Sequence, residues 1–195
     1  MNIISGETYH IYNQGNNKEK IFHEDADYIE FLKLFRKYVF PNCDVFAYCL
    51  MPNHFHFLIH ATEGSAKSKP VGNINLSELS NGFRLLQSNY AQHFNKKYNR
   101  SGSLFRQKIK MKSLSGGDAN YGFVAFHYIH QNPLKAGLVT RIEDWKFSSF
   151  PDYAGIRMGT ICNKELAFKN IGFDRDNFVE ESYRAIDDLL IQKIF

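Results

Sequence analysis

A ten-residue stretch of alternating histidine and apolar residues decides how this chain folds. It reads Met51-Pro52-Asn53-His54-Phe55-His56-Phe57-Leu58-Ile59-His60. From His54 onwards, alternate residues fall into two sets, one rich in histidine and one wholly apolar, which is the period of a β-strand with an apolar face. Two imidazoles two positions apart on a strand point the same way, with Cα atoms roughly 6.5 Å apart. The pattern predicts a rigid strand on which His54 and His56 can both bend toward one divalent cation.

The segments before this stretch predict a strand, a helix and a hairpin. Alternation indicates a first strand over 8–13 and a second over 44–51. Between them, helical spacing of apolar residues indicates a helix from Asp25 to Val39. The dipeptide Pro52-Asn53 is typical of a tight turn, so we expect the second strand and the histidine strand to form a β-hairpin.

The segments after it predict a mobile loop over 62–72, a long helix through Phe94 and a strand over 104–112. A last core helix is expected from Asp118 to Asn132, where Pro133 ends it. The resulting order, β-α-β-β-α-β-α, is typical of an α+β, ferredoxin-like split βαβ fold with an extra helix. We expect a mostly antiparallel sheet with its helices packed on one face.

The central part of the chain is strongly basic. The net charge is only +4, but between Leu79 and Gly117 there is no Asp or Glu. The basic residues there are Arg84, Lys96, Lys97, Arg100, Arg106, Lys108, Lys110 and Lys112. Such asymmetry favours a polyanionic partner for this region, although a solvated basic surface would show the same pattern.

Other features of composition concern the compartment. Cys43, Cys49 and Cys162 have no CxxC spacing, which indicates reduced thiols in a cytoplasm. No apolar run approaches the roughly 20 residues that a membrane span needs, and no signal peptide is recognisable at the N-terminus. We therefore expect a cytoplasmic protein without a membrane partner.

A second segment carries a tyrosine and an amide at helical spacing. It reads Phe126-His127-Tyr128-Ile129-His130-Gln131-Asn132-Pro133-Leu134-Lys135-Ala136-Gly137. Tyr128 and Asn132 are one helical turn apart and project from one face. A tyrosine in such a helix is compatible with plain core packing, and a lone His-x-His pair is a weak signal by itself.

Taken together, these segments resemble a known family. His54-Phe55-His56 is similar to the His-hydrophobic-His signature of HUH endonucleases, and Tyr128 to Pro133 resembles the tyrosine motif of single-tyrosine HUH transposases, with REP-associated tyrosine transposases the closest subgroup. Three further segments fit the same pattern: Tyr9 to Asn13, Arg100 to Arg106 and Trp145 to Phe150. The resemblance covers roughly Glu7 to Phe150.

The resemblance implies transesterification on single-stranded or hairpin DNA. Tyr128 would be the nucleophile that forms a 5′-phosphotyrosine link, and His54 and His56 would hold Mg²⁺ or Mn²⁺. Asn132 is the candidate third metal ligand, although short members of the family have Gln at that place. The candidate DNA-binding residues are Arg100, Arg106, Lys108 and Lys110. Tyr90, Tyr98 and Phe105 are candidate stacking partners for bases.

The resemblance also implies a domain organisation. Residues 1–140 would form the transposase domain, and residues 141–195 a C-terminal extension packed on the core. Within that extension, the sequence itself indicates helices over 164–169 and 178–194. Short relatives act as homodimers, and the sequence leaves both a homodimer and a monomer open for this longer chain. Two other interpretations stand: a catalytically inactive, ferredoxin-like nucleic-acid-binding protein, and a small metalloprotein that uses His54, His56 and His60.

Overall fold

A four-stranded antiparallel sheet organises the chain, of which the computed structural model describes residues 3–114 and 120–184. In chain order the elements are β1 (Thr8–Gln14), α1 (Asp25–Tyr38), β2 (Cys43–Met51), β3 (His54–Ala61), α2 (Glu63–Ala66), β4 (Ser68–Val71), β5 (Ile74–Ser77), α3 (Glu78–Lys97), β6 (Lys110–Ser113), α4 (Tyr121–Lys135), α5 (Phe150–Tyr153), α6 (Lys164–Ile171) and α7 (Phe178–Tyr183). The strand order is β2-β3-β1-β6, and each pairing between neighbours is antiparallel. This is the predicted ferredoxin-like arrangement.

One face of the sheet packs on helices α1 and α3. Phe55, Phe57 and Ile59 of β3 point into this core, as the alternation in the sequence predicts. The two helices approach closely at Gly82, where a Cβ would lie 2.4 Å from the carbonyl oxygen of Tyr38. A larger residue at position 82 would push the helices apart.

Helix α4 and the elements after it pack on the other face, so the prediction that the helices lie on one face is wrong. Leu58 of β3 belongs to this second core together with Phe126 and Ile129 of α4. A β-bulge between Val45 and Ala47 adds a residue to β2 and turns Phe46 and Ala47 toward the same side. The sheet therefore has a hydrophobic core on each of its two faces.

Several local predictions also differ from the structure. The segment 62–72 is ordered as α2 and strand β4, which pairs with β5 in a hairpin. The strand expected over 104–112 is confined to Lys110–Ser113. Helix α4 continues past Pro133 and ends at Lys135. A Schellman motif follows, which the φ of 67° at Gly137 allows. The expected cap at Asp118 lies outside the described residues.

The extension after α4 covers the outer edge of β2. Backbone hydrogen bonds join Leu50 to Phe147 and Tyr48 to Ser149, and the indole of Trp145 donates to the carbonyl oxygen of Leu50. An edge strand with free peptide groups invites pairing with other chains, and these contacts remove that hazard. Of the helix expected over 178–194, Phe178–Tyr183 is helical, and residues after 184 lie outside the description. Within residues 3–114 and 120–184, no helix combines the length and the apolar composition that crossing a membrane requires.

Candidate active site

The register of three strands gathers polar side chains on the α4 side of the sheet. Gln14 lies opposite His54, and Tyr12 lies opposite both His56 on β3 and Lys110 on β6. Residues directly opposite in an antiparallel pair point to the same face. The two histidines of the sequence motif therefore share their face with a tyrosine and a lysine from neighbouring strands.

Helix α4 brings Tyr128 to this face. Its ring stands perpendicular to the His56 ring, with 6.2 Å between the ring centroids. The rings of His54 and His56 are 4.9 Å apart. All three side chains line one open pocket, whose lining residues are Tyr12, Asn13, Gln14, His54, His56, Arg106, Lys108, Lys110 and Tyr128. The structure thus brings together the nucleophile and the metal-binding pair that the resemblance implies.

Both histidines are oriented through their Nδ1 atoms. Nδ1 of His54 lies 2.6 Å from Oδ1 of Asn53, in the turn before the strand. Nδ1 of His56 lies 2.9 Å from Nε2 of His10 on the adjacent strand β1. These contacts set the planes of the two rings, so a metal ion would be coordinated through their Nε2 atoms.

Burial keeps these imidazoles neutral. It lowers the pKa of His54 to about 4, and it holds the pKa of His56 well below its ordinary value, with a further contribution from His10 and His54. A neutral imidazole is the form that binds a metal, because protonation removes the lone pair. Near pH 7 neither histidine has to lose a proton before a cation binds.

The donor set suits an exchangeable cation. Within residues 3–114 and 120–184, no three His, Cys, Asp or Glu side chains are grouped as metal ligands. Two neutral imidazoles leave several coordination positions for phosphate oxygens and water, whereas a structural zinc site has four closed protein ligands. His54 and His56 could therefore hold a divalent cation that shares its coordination sphere with phosphate oxygens and water.

Asn132 lies one turn after Tyr128 but is not among the residues that line the pocket. Its side chain is buried, and its amide nitrogen has no hydrogen-bond partner among the described residues. That nitrogen is a hydrogen-bond donor, whereas a metal ion would bind the amide oxygen, so the missing partner does not bear on the candidate role of Asn132 as a ligand. The neighbouring Gln131 is already used, since its amide donates to the carbonyl oxygens of Ser182 and Arg184.

The environment of Tyr128 makes its phenol a weaker acid than a tyrosine in water. Burial and the nearby Tyr12 phenol raise the pKa of Tyr128 above its ordinary value. Lys135, two turns further along α4, places its ammonium 5.5 Å from the centre of the Tyr128 ring. The ammonium therefore makes a cation–π contact with the ring of the candidate nucleophile.

The candidate DNA-binding residues fall into two groups. Arg106, Lys108 and Lys110 are exposed and line the pocket beside Tyr128. Arg100 lies elsewhere: its guanidinium pairs with Glu19 at 2.9 Å. Of the candidate stacking residues, Tyr90 and Phe105 are buried in the first core, so the structure does not make them available to bases.

Sequence reasoning missed His10 and Tyr12, which are both part of this site. His10 is fully buried against His56, and Tyr12 lines the pocket. A signal for them is present, because alternation along β1 separates His10 and Tyr12 from the apolar Tyr9 and Ile11. The pairing of β1 with β3 was needed to see that the polar set faces the same side as His56.

Two further histidines on α4 contact the C-terminal extension and do not line the pocket. His127 Nδ1 lies 3.0 Å from the hydroxyl of Ser182, and His130 Nε2 lies 2.8 Å from that of Ser149. Burial lowers the pKa of His127 to about 4, so its 3.3 Å contact with Glu181 is not an ion pair near pH 7. The pKa of His130 is also well below its ordinary value, because of burial and of His127.

The lowered pKa values of His54, His56, His127 and His130 predict that acid destabilises the fold of the metal-free protein in EDTA. Below about pH 6.5 the unfolded chain protonates them and the folded chain does not, so the unfolded state binds more protons. The free energy of unfolding should therefore fall by about 1.4 kcal/mol per pH unit for each ring as the pH drops from 6.5 toward 4. Urea unfolding at a series of pH values measures this slope. In His127→Asn the dependence of the unfolding free energy on pH should be shallower by about 1.4 kcal/mol per pH unit, which corresponds to one proton. An unchanged slope would contradict the conclusion that His127 is buried in its neutral form.

Comparisons with known proteins bear on the family and the fold of this chain. The IS200-like transposase family matches residues 4–132, which is more than half of the chain and includes both histidines and Tyr128. The fold is similar to that of a REP-associated tyrosine transposase solved bound to a REP hairpin, with a TM-score of 0.57 and 17% sequence identity, over 96% of this chain and 97% of that one. A search of curated proteins found no match. The chain belongs to the family of IS200-like transposases.

Proposed function

We propose that this transposase cleaves and rejoins single-stranded DNA through a covalent link to Tyr128. The observation that carries the proposal is the shared pocket of Tyr128, His54 and His56. A nucleophile and a metal-binding pair on one open surface are the parts that phosphodiester transesterification needs. A single chain supplies all three side chains, and we propose that it acts without the homodimer that the sequence left open.

The cleavage step exchanges one ester for another. The Tyr128 oxygen forms a bond to the scissile phosphorus as the bond from phosphorus to the 3′ oxygen breaks. The products are a 5′-phosphotyrosine and a 3′ hydroxyl, which takes up a proton as the phenol loses one. Attack of a 3′ hydroxyl on the phosphotyrosine reverses the exchange and joins strands, so no external energy source is needed.

His54 and His56 would hold Mg²⁺ or Mn²⁺, which supplies charge stabilisation at the scissile phosphate. Asn132 is our candidate for a third ligand, and its buried amide would have to move to reach the pocket. The raised pKa of Tyr128 means that the phenol needs help to ionise. The ammonium of Lys135 beside its ring favours the phenolate and so assists the attack.

The DNA backbone would run along the exposed cations of the pocket, Arg106, Lys108 and Lys110. Cations in a row along an open groove bind phosphates without regard to sequence. The relative of similar fold was solved with a REP hairpin, and we propose hairpin or repeat DNA in the cytoplasm as the substrate of this chain, in transposition or in a domesticated derivative. A catalytically inactive nucleic-acid-binding protein would keep the groove but form no covalent product.

The direct test is incubation of the purified protein with labelled single-stranded hairpin DNA from the flanks of its own gene. With Mn²⁺ or Mg²⁺ we expect a labelled band at the size of a protein–DNA adduct on a denaturing gel. EDTA should abolish the band, and addition of excess metal should restore it. Bound DNA on a native gel without any adduct, under all these conditions, would favour the inactive binding protein.

Removal of the pocket cations should weaken binding in a salt-dependent way. For Lys108→Gln with Lys110→Gln, we expect the slope of log affinity against log salt to fall by about 1.4, since each contact with a single-stranded phosphate contributes about 0.7. Lys33→Gln, an exposed lysine on α1, is the matched control and should leave the slope unchanged. Arg100→Gln should have a smaller effect than either pocket lysine, because Glu19 already neutralises it. Equal slopes for the double variant and the control would place the DNA elsewhere.

A further inference from the structure

A fully buried histidine stands behind one of the candidate metal ligands. His10 lies on β1 with its Nε2 atom 2.9 Å from Nδ1 of His56. The two rings are nearly parallel, with an interplanar angle of 12° and centroids 5.1 Å apart. Since His10 is 0% exposed, it is out of reach of DNA and solvent, and its action at the site has to pass through His56.

The chemistry of imidazole restricts what this contact is. A neutral imidazole carries one proton, so of the two facing nitrogens one must donate and the other must accept. If His56 binds a metal through Nε2, that atom has a lone pair and the proton of His56 is on Nδ1. His56 then donates, and Nε2 of His10 accepts.

We propose that His10 is a positioning residue that holds His56 in the tautomer and ring plane required for metal binding. The inference rests on the proposed function, because it assumes that His56 is a metal ligand. A metal-bound histidine usually donates its other N–H to an acceptor, which sets the ring orientation and makes the ligand more basic. Here the acceptor is a second histidine instead of the carboxylate or carbonyl group that more often fills this role.

The surroundings of His10 hold its ring in place. Its ring stacks on Tyr12 at 4.7 Å, which holds the plane, and its backbone pairs with Lys112 on β6. Lys112 is the charged group that faces His10 from the neighbouring strand β6, and Tyr12 and His56 face it from β1 and β3.

The test separates hydrogen bonding from packing. His10→Phe keeps an aromatic ring but has no acceptor, whereas His10→Gln places an amide oxygen near the position of the imidazole Nε2. We expect Mn²⁺ affinity, measured by electron paramagnetic resonance, to fall about 10- to 100-fold in His10→Phe. His10→Gln should stay within about threefold of the parent protein. Hairpin binding in EDTA should be unchanged in both, which shows that fold and groove are intact.

A spectroscopic measurement on the unaltered protein gives a second answer that does not depend on how the variants fold. Proton–nitrogen correlation spectra of the imidazoles report which ring nitrogen carries the proton. We expect the proton of His56 on Nδ1. The proposal would be overturned if His56 carries its proton on Nε2 in a preparation that binds Mn²⁺. It would also be overturned if His10→Phe binds Mn²⁺ as tightly as the parent protein does.

His56→Ala distinguishes a failure of the proposed metal site from a failure of the role proposed for His10. If His56→Ala binds Mn²⁺ like the parent protein, the metal site itself is wrong, and the proposed function and the role of His10 fail together. If His56→Ala loses Mn²⁺ and His10→Phe does not, only the role of His10 fails. If both lose it and His10→Gln does not, both stand.

Discussion

Tyr128→Phe is expected to reduce formation of the covalent protein–DNA adduct by more than about 10³-fold, because no other group replaces the attacking oxygen. The phenyl ring still packs beside His56, so the pocket keeps its shape. Affinity for the hairpin should stay within about twofold, since the phosphate contacts come from other residues. Adduct on a denaturing gel and affinity on a native gel, measured on the same preparation, separate chemistry from binding.

Two other tyrosines provide the comparison. Tyr121 is on the same helix, two turns before Tyr128, and is not among the residues that line the pocket. Tyr121→Phe should therefore form adduct like the parent protein. Tyr12 does line the pocket. If Tyr128→Phe forms adduct and Tyr12→Phe does not, the nucleophile is on the sheet and the assignment of Tyr128 is wrong.

His56→Ala and His54→Ala are each expected to lower adduct formation about 10²- to 10³-fold at limiting Mn²⁺. Removal of one of two imidazoles leaves a single protein nitrogen, so the metal binds weakly and the scissile phosphate loses its charge stabilisation. If the loss arises from metal affinity, raising the Mn²⁺ concentration should recover part of the activity. The measurement is the initial rate of adduct formation over a range of Mn²⁺ concentrations.

His60→Ala is the matched control for these variants. His60 is on the same strand and the same face, but its ring stacks on Phe46 and its Nδ1 lies 3.4 Å from the Thr8 hydroxyl, outside the lining of the pocket. Its rate and its dependence on Mn²⁺ should match the parent protein. An equal loss in His60→Ala and His56→Ala would favour a site built from all three histidines, as the metalloprotein interpretation holds.

Much of this protein follows from short-range sequence patterns. Alternation along 54–60 determines which side of β3 each side chain faces, and Pro52-Asn53 determines the hairpin that joins it to β2. The order of strands and helices then leaves few ways to form an antiparallel sheet, which is why the ferredoxin-like fold could be predicted. The pairing of His54 with His56, and the place of Tyr128 on a late helix, are visible without any coordinates.

The tertiary structure alone decides which of these patterns meet. Alternation does not say what covers each face of a sheet, and only the structure shows that Phe126 and Ile129 of α4 share a second core with Leu58. The distribution of charge along the chain does not show which charged side chains pair with each other. Arg100 forms an ion pair with Glu19, which is far from it in sequence. The contact between His10 and His56 depends on the register of two strands that are far apart in sequence. Long-range burial and pairing set these outcomes, because their free energy comes from residues that no local window contains.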